Sequence, residues 1–435
     1  MFSARTGMKS WVNGALNDSR LGLGFGTTKL AAAAIRGALI LAVICVLLPT
    51  AALPAQGQTE SVLYNFGSGA NGPASGLIAD SAGNFYGTTF YGGTSASPGS
   101  GTVFELSPSG GTWTETTLYS FCSALNCADG ANPMSSVIFS AGTLYGTTSK
   151  GGVNGAGVVF ELSLHGAKWK ETVLYSFCSQ SACADGGNPE SGLIVDLQGH
   201  LYGTNSAGAF ELSKSGGAWK EQVLYGGAVG GLTLDGSGNI FGATSSTVFE
   251  LSPKGSGGWN SAVIHTFPNS LKDGSNLTSA PVLDAAGNLY GTTSAGGANG
   301  YGAAYMLVRP TQSWQNGIWP ERVVFSFGKC TSGPCNPVGI VVDLFDNIYG
   351  ILPSGGKPYK LGSVFELEIP FAKDWYVEKV LWTFKGTDGA YPNGTLIMDS
   401  VGNLYGITTA GGPSYEKTCA AGGPCGTGVV FQVVP

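Results

Sequence analysis

The chain has few charged side chains and very few histidines. Only 11% of its 435 residues are charged, with 21 Lys and Arg against 27 Asp and Glu, for a formal net charge of −6. The cations are spread thinly along the chain, so no basic stripe is available to neutralise a phosphate backbone, which argues against a nucleic-acid partner. His165, His200 and His265 are the only histidines, and the sequence holds neither GxSxG nor HExxH. Conventional hydrolase triads and zinc-protease sites are therefore not predicted.

Long amphipathic helical patterns are also missing after residue 60. The whole chain contains 71 glycines, 21 phenylalanines and 17 tyrosines, and after residue 60 short apolar segments alternate with turn residues. Such segments are typical of short β-strands joined by tight turns. The composition therefore predicts an all-β chain.

One string recurs along the whole chain and sets its organisation. NLYGTT at 288 to 293 has relatives that read NFYGTT at 84, TLYGTT at 143, HLYGTN at 200, NIFGAT at 239, NIYGIL at 347 and NLYGIT at 403. Self-similarity at steps of 39 to 59 residues indicates a repeat array and not a set of unrelated domains. Seven copies predict seven structural units.

Each unit contains four apolar segments, which we label strands A to D. In the second unit they are SSVIFS at 135, TLYGTT at 143, GVVFEL at 157 and WKETVLYSF at 169. Short turns join A to B and C to D, the B to C loop is Gly-rich and variable, and the longest connection leads from D to the next A. Four antiparallel strands followed by one long crossover are what a propeller blade requires. We place the tryptophans of the D strands at the outer edge: Trp113, Trp169, Trp219, Trp259 and Trp375.

The two ends of the chain predict how the ring closes. The first segment, VLYNF at 62 to 66, is a D strand without A, B or C, and the last, GVVFQVV at 428 to 434, is a C strand without D. Pairing these two orphan strands would cover both open sheet edges. We therefore predict that residues 58 to 435 form a seven-bladed β-propeller of four-stranded antiparallel blades, closed by the N-terminal strand pairing with the C-terminal strand.

The first 57 residues are predicted to be a signal peptide or an N-terminal membrane anchor. Basic residues precede an apolar run at 37 to 53, and small residues follow it, which is the order of a secretory signal. The run is about 17 residues long, at the lower edge for spanning a bilayer, so an uncleaved anchor stays open. We expect a secreted, periplasmic or cell-surface protein whose only membrane contact would be residues 37 to 53.

Eight of the nine cysteines form close pairs, which are Cys122 with Cys127, Cys178 with Cys183, Cys330 with Cys335, and Cys419 with Cys425. Zinc sites usually need a two-residue spacing and a second matching pair or histidines. Four small disulfide loops in an oxidising compartment fit better. Three pairs fall in D to A crossovers and one in a B to C loop, connections that share the face we call the top face.

A double motif runs through the repeat: a GNLYGTT-like string, a Gly-rich loop and GxVFEL. It reads GNFYGTTFYGG with GTVFEL at 83 to 106, and GTLYGTTSKGG with GVVFEL at 142 to 162. This pattern resembles the GloVer tandem repeat of bacterial exported proteins, the family called choice-of-anchor tandem repeat GloVer-containing. The resemblance covers roughly residues 61 to 435 and implies a surface or secreted protein with no assigned activity. Since no sorting signal follows Pro435, we expect any anchor to be N-terminal.

Two sets of acidic residues recur in nearly every unit, and we interpret both as structural. Strand A ends in an aspartate that would cap the A to B turn, at Asp80, Asp196, Asp235, Asp284, Asp343 and Asp399. Strand C carries a glutamate between Phe and Leu, at Glu105, Glu161, Glu211, Glu250 and Glu366. Repetition around a ring favours blade building, because catalysis needs one asymmetric site.

The crossovers hold the candidate ligand-binding residues, in the strings DGANP, DGGNP, DGSNL and DGAYPN. They are Asp129, Asn132, Asp185, Asn188, Asp273, Asn276, Asp388 and Asn393. Asp-Gly and Asn-Pro are common turn residues, so a structural reading stays open. The functional alternative is a ring of oxygens for sugar hydroxyls or Ca²⁺. Aromatic residues that could stack on sugars lie in or beside the same loops: Phe90, Tyr91, Tyr301, Tyr359, Tyr391 and Tyr415.

Three functions remain open from the sequence. The first is a non-enzymatic binding or scaffold module that takes a carbohydrate or protein partner through the top-face loops. The second is a carbohydrate-active hydrolase or lyase that uses top-face carboxylates, since two acids at a suitable separation suffice for glycoside hydrolysis. The third is a purely structural envelope protein. No catalytic residue and no cofactor are assigned, Ca²⁺ stays a possibility, and we expect a monomer.

Overall fold

The computed structural model describes residues 58–67, 72–94, 99–255, 257–268, 273–277, 279–310, 317–328, 337–370, 375–416 and 426–435. The predicted signal or anchor segment, residues 1 to 57, lies outside them. So do four of the paired cysteines, namely Cys330, Cys335, Cys419 and Cys425. Among the residues described, no helix is both long and apolar enough to cross a membrane.

The described residues form seven antiparallel sheets in a ring, the predicted seven-bladed β-propeller. Blade 1 has β2 (Ile78–Ala79), β3 (Phe85–Thr89), β4 (Thr102–Ser109) and β5 (Thr112–Ser120). Blade 2 has β6 (Ile138–Ser140), β7 (Thr143–Thr148), β8 (Val158–His165) and β9 (Lys168–Ser176). Blade 3 has β10 (Ile194–Val195), β11 (Leu201–Asn205), β12 (Gly208–Ser215) and β13 (Ala218–Gly226). Blade 4 has β14 (Val229–Leu234), β15 (Ile240–Ala243), β16 (Thr247–Pro253) and β17 (Trp259–Thr266).

The remaining blades follow the same order, with one split strand. Blade 5 has β18 (Gly274–Leu277), β19 (Val282–Leu283), β20 (Leu289–Gly296), β21 (Ala303–Leu307) and β22 (Glu321–Ser326). Blade 6 has β23 (Val338–Val342), β24 (Ile348–Leu352), β25 (Ser363–Glu368) and β26 (Val377–Thr383). Blade 7 has β27 (Ala390–Met398), β28 (Leu404–Ala410), β29 (Val429–Val434) and β1 (Thr59–Asn65). Both β18 and β19 pair with β20, so the inner strand of blade 5 is present in two pieces.

Blade 7 is built from both ends of the propeller, as the orphan strands predicted. Strand β1 pairs antiparallel with β29, from Thr59 opposite Val434 to Asn65 opposite Val429. The backbone N–H of Phe66 then donates to the carbonyl of Gly428 at 3.2 Å. The closure prediction is therefore confirmed.

Aromatic pairs between neighbouring blades are a repeated feature of the core. A ring at the end of each D strand meets the strand-C ring of the next blade, as when Phe121 packs edge-to-face on Phe160 with ring centroids 5.0 Å apart. Phe177 and Phe210 repeat this contact at 5.1 Å. These phenylalanines are fully buried, and an edge-to-face pair adds stabilisation beyond the area that it buries.

The phenylalanine rings of strand C explain why the repeated LYGTT string contains a glycine. A Cβ placed on Gly146 would lie 2.6 Å from the ring of Phe160, and one on Gly87 would lie 2.6 Å from the ring of Phe104. Strand B therefore needs glycine because the strand-C ring crosses directly over its backbone. The most repeated string in the chain is part of the scaffold.

The strand-A aspartates cap the A to B turns, as predicted. The Oδ1 atom of Asp80 accepts hydrogen bonds from the backbone N–H groups of Ala82 and Asn84, both at 2.9 Å. Its Oδ2 atom accepts from the Asn84 side chain at 2.9 Å and from the Tyr86 hydroxyl at 3.1 Å. Turns of the same kind lie at the other five aspartates, which are Asp196, Asp235, Asp284, Asp343 and Asp399.

In blades 1 to 6 an aromatic side chain at or just before the start of the D strand fills the groove to the preceding blade, on the face opposite to the top face; blade 7 has Gln58 at the equivalent position. Trp259 of blade 4 lies against Tyr202 of blade 3, with ring centroids 5.7 Å apart, and Trp319 of blade 5 lies against Phe241 of blade 4 at 5.6 Å. Both tryptophans stand two residues before the position that pairs with the strand-C leucine. In blade 6 this position belongs to Tyr376. The sequence-based assignment of Trp375 to this position of the D strand is therefore wrong by one residue. Trp375 precedes β26 and is 62% exposed.

Candidate functional site

All seven blades contribute described residues to the central opening of the top face. Its cavity has a volume of about 700 Å³ and is lined mainly by residues that lead into or begin the inner strands. Threonines of strand B hold these strands together: the Thr88 hydroxyl donates to the Ser135 carbonyl at 2.8 Å and the Thr292 hydroxyl to the Pro337 carbonyl at 3.0 Å. The opening is therefore a preformed feature of the ring.

The wall of this opening is small, polar and nearly uncharged. Glycines and serines supply much of it, namely Gly76, Gly192, Gly231, Gly339, Gly394, Ser75, Ser135, Ser136, Ser191 and Ser279. Among the lining residues Glu190 is the one with a charge, and Met134 is the largest exposed apolar side chain. The glycines allow the backbones to approach closely, since a Cβ on Gly76 would meet the backbone nitrogen of Thr395 at 2.9 Å. A surface of hydroxyl, amide and backbone groups suits a neutral, hydrogen-bonding ligand.

Two of the four candidate asparagines reach the opening. Asn188 and Asn393 both line it, and the Asn393 side-chain amide also donates to the Ala74 carbonyl at 3.0 Å. Asn132 has its amide turned to the neighbouring loop, where it donates to the carbonyls of Phe90 at 3.0 Å and Gly99 at 3.1 Å. Asn132, Asn188 and Asn276 have φ of 54°, 50° and 58°, the left-handed conformation that Asn tolerates better than most residues.

The candidate aspartates Asp129 and Asp185 organise their own crossovers. The Asp129 carboxylate accepts hydrogen bonds from the Tyr119 hydroxyl at 2.7 Å and the Ser123 N–H at 2.8 Å. Asp185 accepts from the Tyr175 hydroxyl and the Ser179 N–H, each at 2.8 Å. Burial alone would raise the pKa of Asp185, but these hydrogen bonds outweigh it and lower the pKa.

The other two candidate aspartates lie in the later crossovers. The Asp388 carboxylate accepts from the Trp382 indole at 3.1 Å and from the Lys385 N–H at 2.7 Å. The backbone carbonyl of Asp273 accepts from the Gly297 N–H at 3.0 Å. The ligand-binding role of the eight candidate residues stays a prediction, and the geometry favours Asn188 and Asn393 among them.

Two of the four predicted disulfides lie within the described residues, and both are formed. Cys122 is joined to Cys127 and Cys178 to Cys183, with Cα atoms 3.9 and 4.1 Å apart. Each loop contains a short 3-10 helix, Leu125–Cys127 or Ser181–Cys183. The disulfides therefore fix the outer part of two crossovers whose inner ends reach the central opening.

Glutamates of the outer strands lie beside these crossovers. Burial, and after it the charge of Asp129, raises the pKa of Glu171 to about 8. Burial and the charge of Asp185 raise the pKa of Glu221 to about 7. Such shifts often mark functional sites, but the same pairing recurs between blades, and we therefore assign it to blade contact. A third pair consists of Glu60 and Asp388.

Sequence reasoning missed the residues that directly follow the Asn-Pro turns. Met134 and Glu190 line the opening because each begins the descent into an inner strand. Their position after ANP and GNP was the available signal, since the innermost strand of a blade must start at the channel. Turn chemistry drew attention to the residues just before them.

The histidines serve local structure. His200 takes the place of the turn asparagine and its Nδ1 atom lies 2.9 Å from Asp196. The Nε2 atom of His265 lies 3.3 Å from Glu321. Over the ranges that the structure covers, no three or more His, Cys, Asp or Glu side chains come together in a group that could hold a metal ion.

Two stretches that together span the propeller, residues 51–223 and 225–435, match the model of the Gloeobacter/Verrucomicrobia repeat. The chain belongs to this repeat family. The match confirms the resemblance to the GloVer repeat that the double motif indicated. None of the curated proteins matches the chain.

Solved structures similar to this member of the repeat family share its architecture at low sequence identity. Virginiamycin B lyase from Staphylococcus aureus is 11% identical with a TM-score of 0.51, over 87% of this chain and 99% of the lyase. The extracellular domain of a candidate one component system from B. thetaiotaomicron is 10% identical with a TM-score of 0.52, over 86% of this chain and 40% of the other. The Niastella koreensis GH74 enzyme is 16% identical with a TM-score of 0.50, over 80% of this chain and 53% of the GH74 enzyme. At these identities the likeness shows the fold alone.

Proposed function

We propose that the protein is an exported, non-enzymatic binding module that takes a carbohydrate or protein partner at the central opening of its top face. The observation that carries this proposal is the lining of the opening. Seven blades contribute hydroxyl, amide and backbone groups around one carboxylate, in a cavity of about 700 Å³. Of the two partner classes, this uncharged hydrogen-bonding wall favours a neutral glycan.

Export is supported by the two crossover disulfides. Disulfides form and persist in oxidising compartments such as the periplasm or the cell exterior. The family resemblance and the apolar run at 37 to 53 point the same way. Binding is preferred to glycoside hydrolysis because that reaction usually needs two carboxyl groups across the scissile bond, and the described wall of the opening offers Glu190.

The test is a glycan array combined with a polysaccharide-turnover screen on purified residues 58–435, which contain every strand of the ring. Binding without turnover is the expected result. Asn188→Gly with Glu190→Gln should weaken that binding about tenfold or more, because two wall contacts are lost. Glycine keeps the left-handed backbone at residue 188 unstrained. The matched control is Leu197→Ala, a fully exposed change on the opposite face.

Each other outcome has a defined meaning. Turnover that depends on Glu190 would replace the binding proposal with the hydrolase or lyase. Capture of a protein in place of a glycan, with the same dependence on Asn188 and Glu190, would keep the site and change the partner class. No binding and no turnover would contradict the proposal and favour a structural envelope protein.

A further inference from the structure

The groove between blades 5 and 6 differs from the grooves between blades 1 to 5, on the face opposite to the central opening. Between blades 3 and 4 the groove is filled by the indole of Trp259, which also donates a hydrogen bond to Glu211 at 3.0 Å. Between blades 5 and 6 the equivalent residue is Tyr376, whose smaller ring packs with Tyr290. Blades 1 to 5 place a tryptophan at this position, whereas blade 6 has a shorter aromatic side chain and blade 7 has Gln58.

The space left at this position is a cleft of about 430 Å³, within the range of small-molecule binding sites. Its wall includes Tyr290, Met306, Arg322, Asp346 and Trp375. Tyr290, Met306 and Arg322 lie on three strands of blade 5, whereas Asp346 lies in the A to B turn of blade 6 and Trp375 just before β26. The cleft is therefore an asymmetric feature of the ring, which the repeated scaffold does not require.

The side chains at the rim suit one class of ligand. Trp375 is 62% exposed, and an indole offers a large flat surface with a polar edge. Asp346 and Arg322 are exposed on the same cleft, one an acceptor and the other a donor of hydrogen bonds. Since one anion and one cation share the wall, neither an anionic nor a cationic ligand is favoured by net charge. A neutral ligand with a flat apolar face and many hydroxyl groups fits best, and a pyranose sugar has both.

Asp346 is held in place by its own backbone. It occupies the A to B turn of blade 6 with a φ of 63°, and its carbonyl accepts a hydrogen bond from the Tyr376 hydroxyl at 3.0 Å. The turn that carries the carboxylate is thus tied to the aromatic residue that shapes the cleft. Burial, and after it the charges of Asp284 and Asp343, raises the pKa of Asp346.

We propose that this cleft binds a neutral oligosaccharide, with Trp375 stacking on a pyranose ring while Asp346 accepts from, and Arg322 donates to, its hydroxyl groups. The site is separate from the central opening and does not depend on the function assigned to it.

The experiment measures binding of four neutral pentaoses, cellopentaose, xylopentaose, mannopentaose and maltopentaose, by calorimetry and ligand-observed NMR. At least one should bind. Trp375→Ala should weaken its binding about tenfold or more, because the stacking surface is removed. Tyr376→Trp should do the same by filling the cleft. Its melting temperature is measured alongside, because the change also removes the hydrogen bond from the Tyr376 hydroxyl to the Asp346 carbonyl. Leu197→Ala, on the same face of blade 3, is the matched control.

The result that overturns the proposal is equally specific. Either no pentaose binds, or binding persists unchanged in both Trp375→Ala and Tyr376→Trp. The Asn188→Gly, Glu190→Gln double variant separates the two sites, because it should leave the Trp375-dependent binding intact. Loss of pentaose binding in that variant alone would assign the sugar to the central opening and contradict the cleft.

Discussion

The crossovers on the two sides of blade 3 solve the same packing problem with different lengths of chain. The crossover from blade 2 to blade 3 places buried Phe177 on Phe210 and then forms the Cys178–Cys183 loop. The crossover from blade 3 to blade 4 is only Gly227 and Ala228, between β13 and β14. It has no cysteine, and Tyr225 takes the place of the missing phenylalanine, stacked on Phe249 with centroids 4.1 Å apart.

This difference shows which part of a crossover the fold requires. A ring against the strand-C phenylalanine is present in both, although it comes from a different position and at a different angle. The disulfide loop and its aspartate are present in one and absent from the other. The aromatic contact therefore belongs to the scaffold, while the outer loop is an addition that a blade can lack.

The largest effect should come from removing the ring itself. Phe177→Ala is expected to lower the free energy of unfolding by about 3–5 kcal/mol, because it leaves a cavity in a fully buried interface. Tyr225→Ala should cost roughly half as much, since Tyr225 is only partly buried. Urea denaturation followed by tryptophan fluorescence measures both, with Leu197→Ala as the surface control. Equal losses at the two positions would contradict the view that the long crossover packs the ring more completely.

The disulfide should matter less than the ring. Replacing Cys178 and Cys183 by serine is expected to lower the free energy of unfolding by about 2 kcal/mol, the loop-closure contribution for a ring of this size. Ser181→Ala lies inside the same loop and leaves the bond intact, so it serves as the control. Peptide mass mapping checks the bond directly. Finding Cys178 joined to any cysteine other than Cys183 would disprove the assignment.

The scaffold could be predicted from the sequence because each of its features is local and repeated. Strand and turn signals recur seven times, so an error in one unit is corrected by the others. The closing pair of β1 and β29 followed from counting the orphan strands. The sequence also shows that strand B always contains a glycine. It does not show which aromatic ring requires that glycine, as Phe160 does at Gly146.

The candidate sites could not be predicted to the same depth. Neighbouring strand residues point to opposite faces, so a shift of one position decides whether Trp375 or Tyr376 fills a groove. The strings DGANP and DGGNP predict a turn. They do not indicate whether the aspartate side chain bonds within its own loop, as Asp185 does, or faces the channel. The wall of the opening is made of small residues such as Ser191 and Gly192, which carry no motif.

The smallest expected effect concerns an acid pair that only the longer crossover has. Glu221 of blade 3 lies beside Asp185 of the crossover from blade 2, whereas the equivalent position in blade 4 is Ser261 and the short crossover has no aspartate. Burial and Asp185 raise the pKa of Glu221 from 4.5 to about 7, while the pKa of Asp185 is lowered. Between these values the pair carries one charge, with Asp185 ionised and Glu221 protonated.

The direction of the pH dependence follows from proton counting. Between pH 4.5 and about 7 the folded protein holds a proton on Glu221 that the unfolded chain releases, so the stability that this proton supports is lost as the pH rises. Glu221→Gln keeps a neutral side chain at all pH values and should raise the melting temperature at pH 8 relative to the unmutated protein, with little change at pH 4.5. Differential scanning calorimetry at both pH values measures the difference, and Glu416→Gln removes one exposed carboxyl group as the control. A variant that is destabilised equally at both pH values would show that the carboxyl group of Glu221 serves packing alone, and the two crossovers would then differ in shape but not in their response to pH.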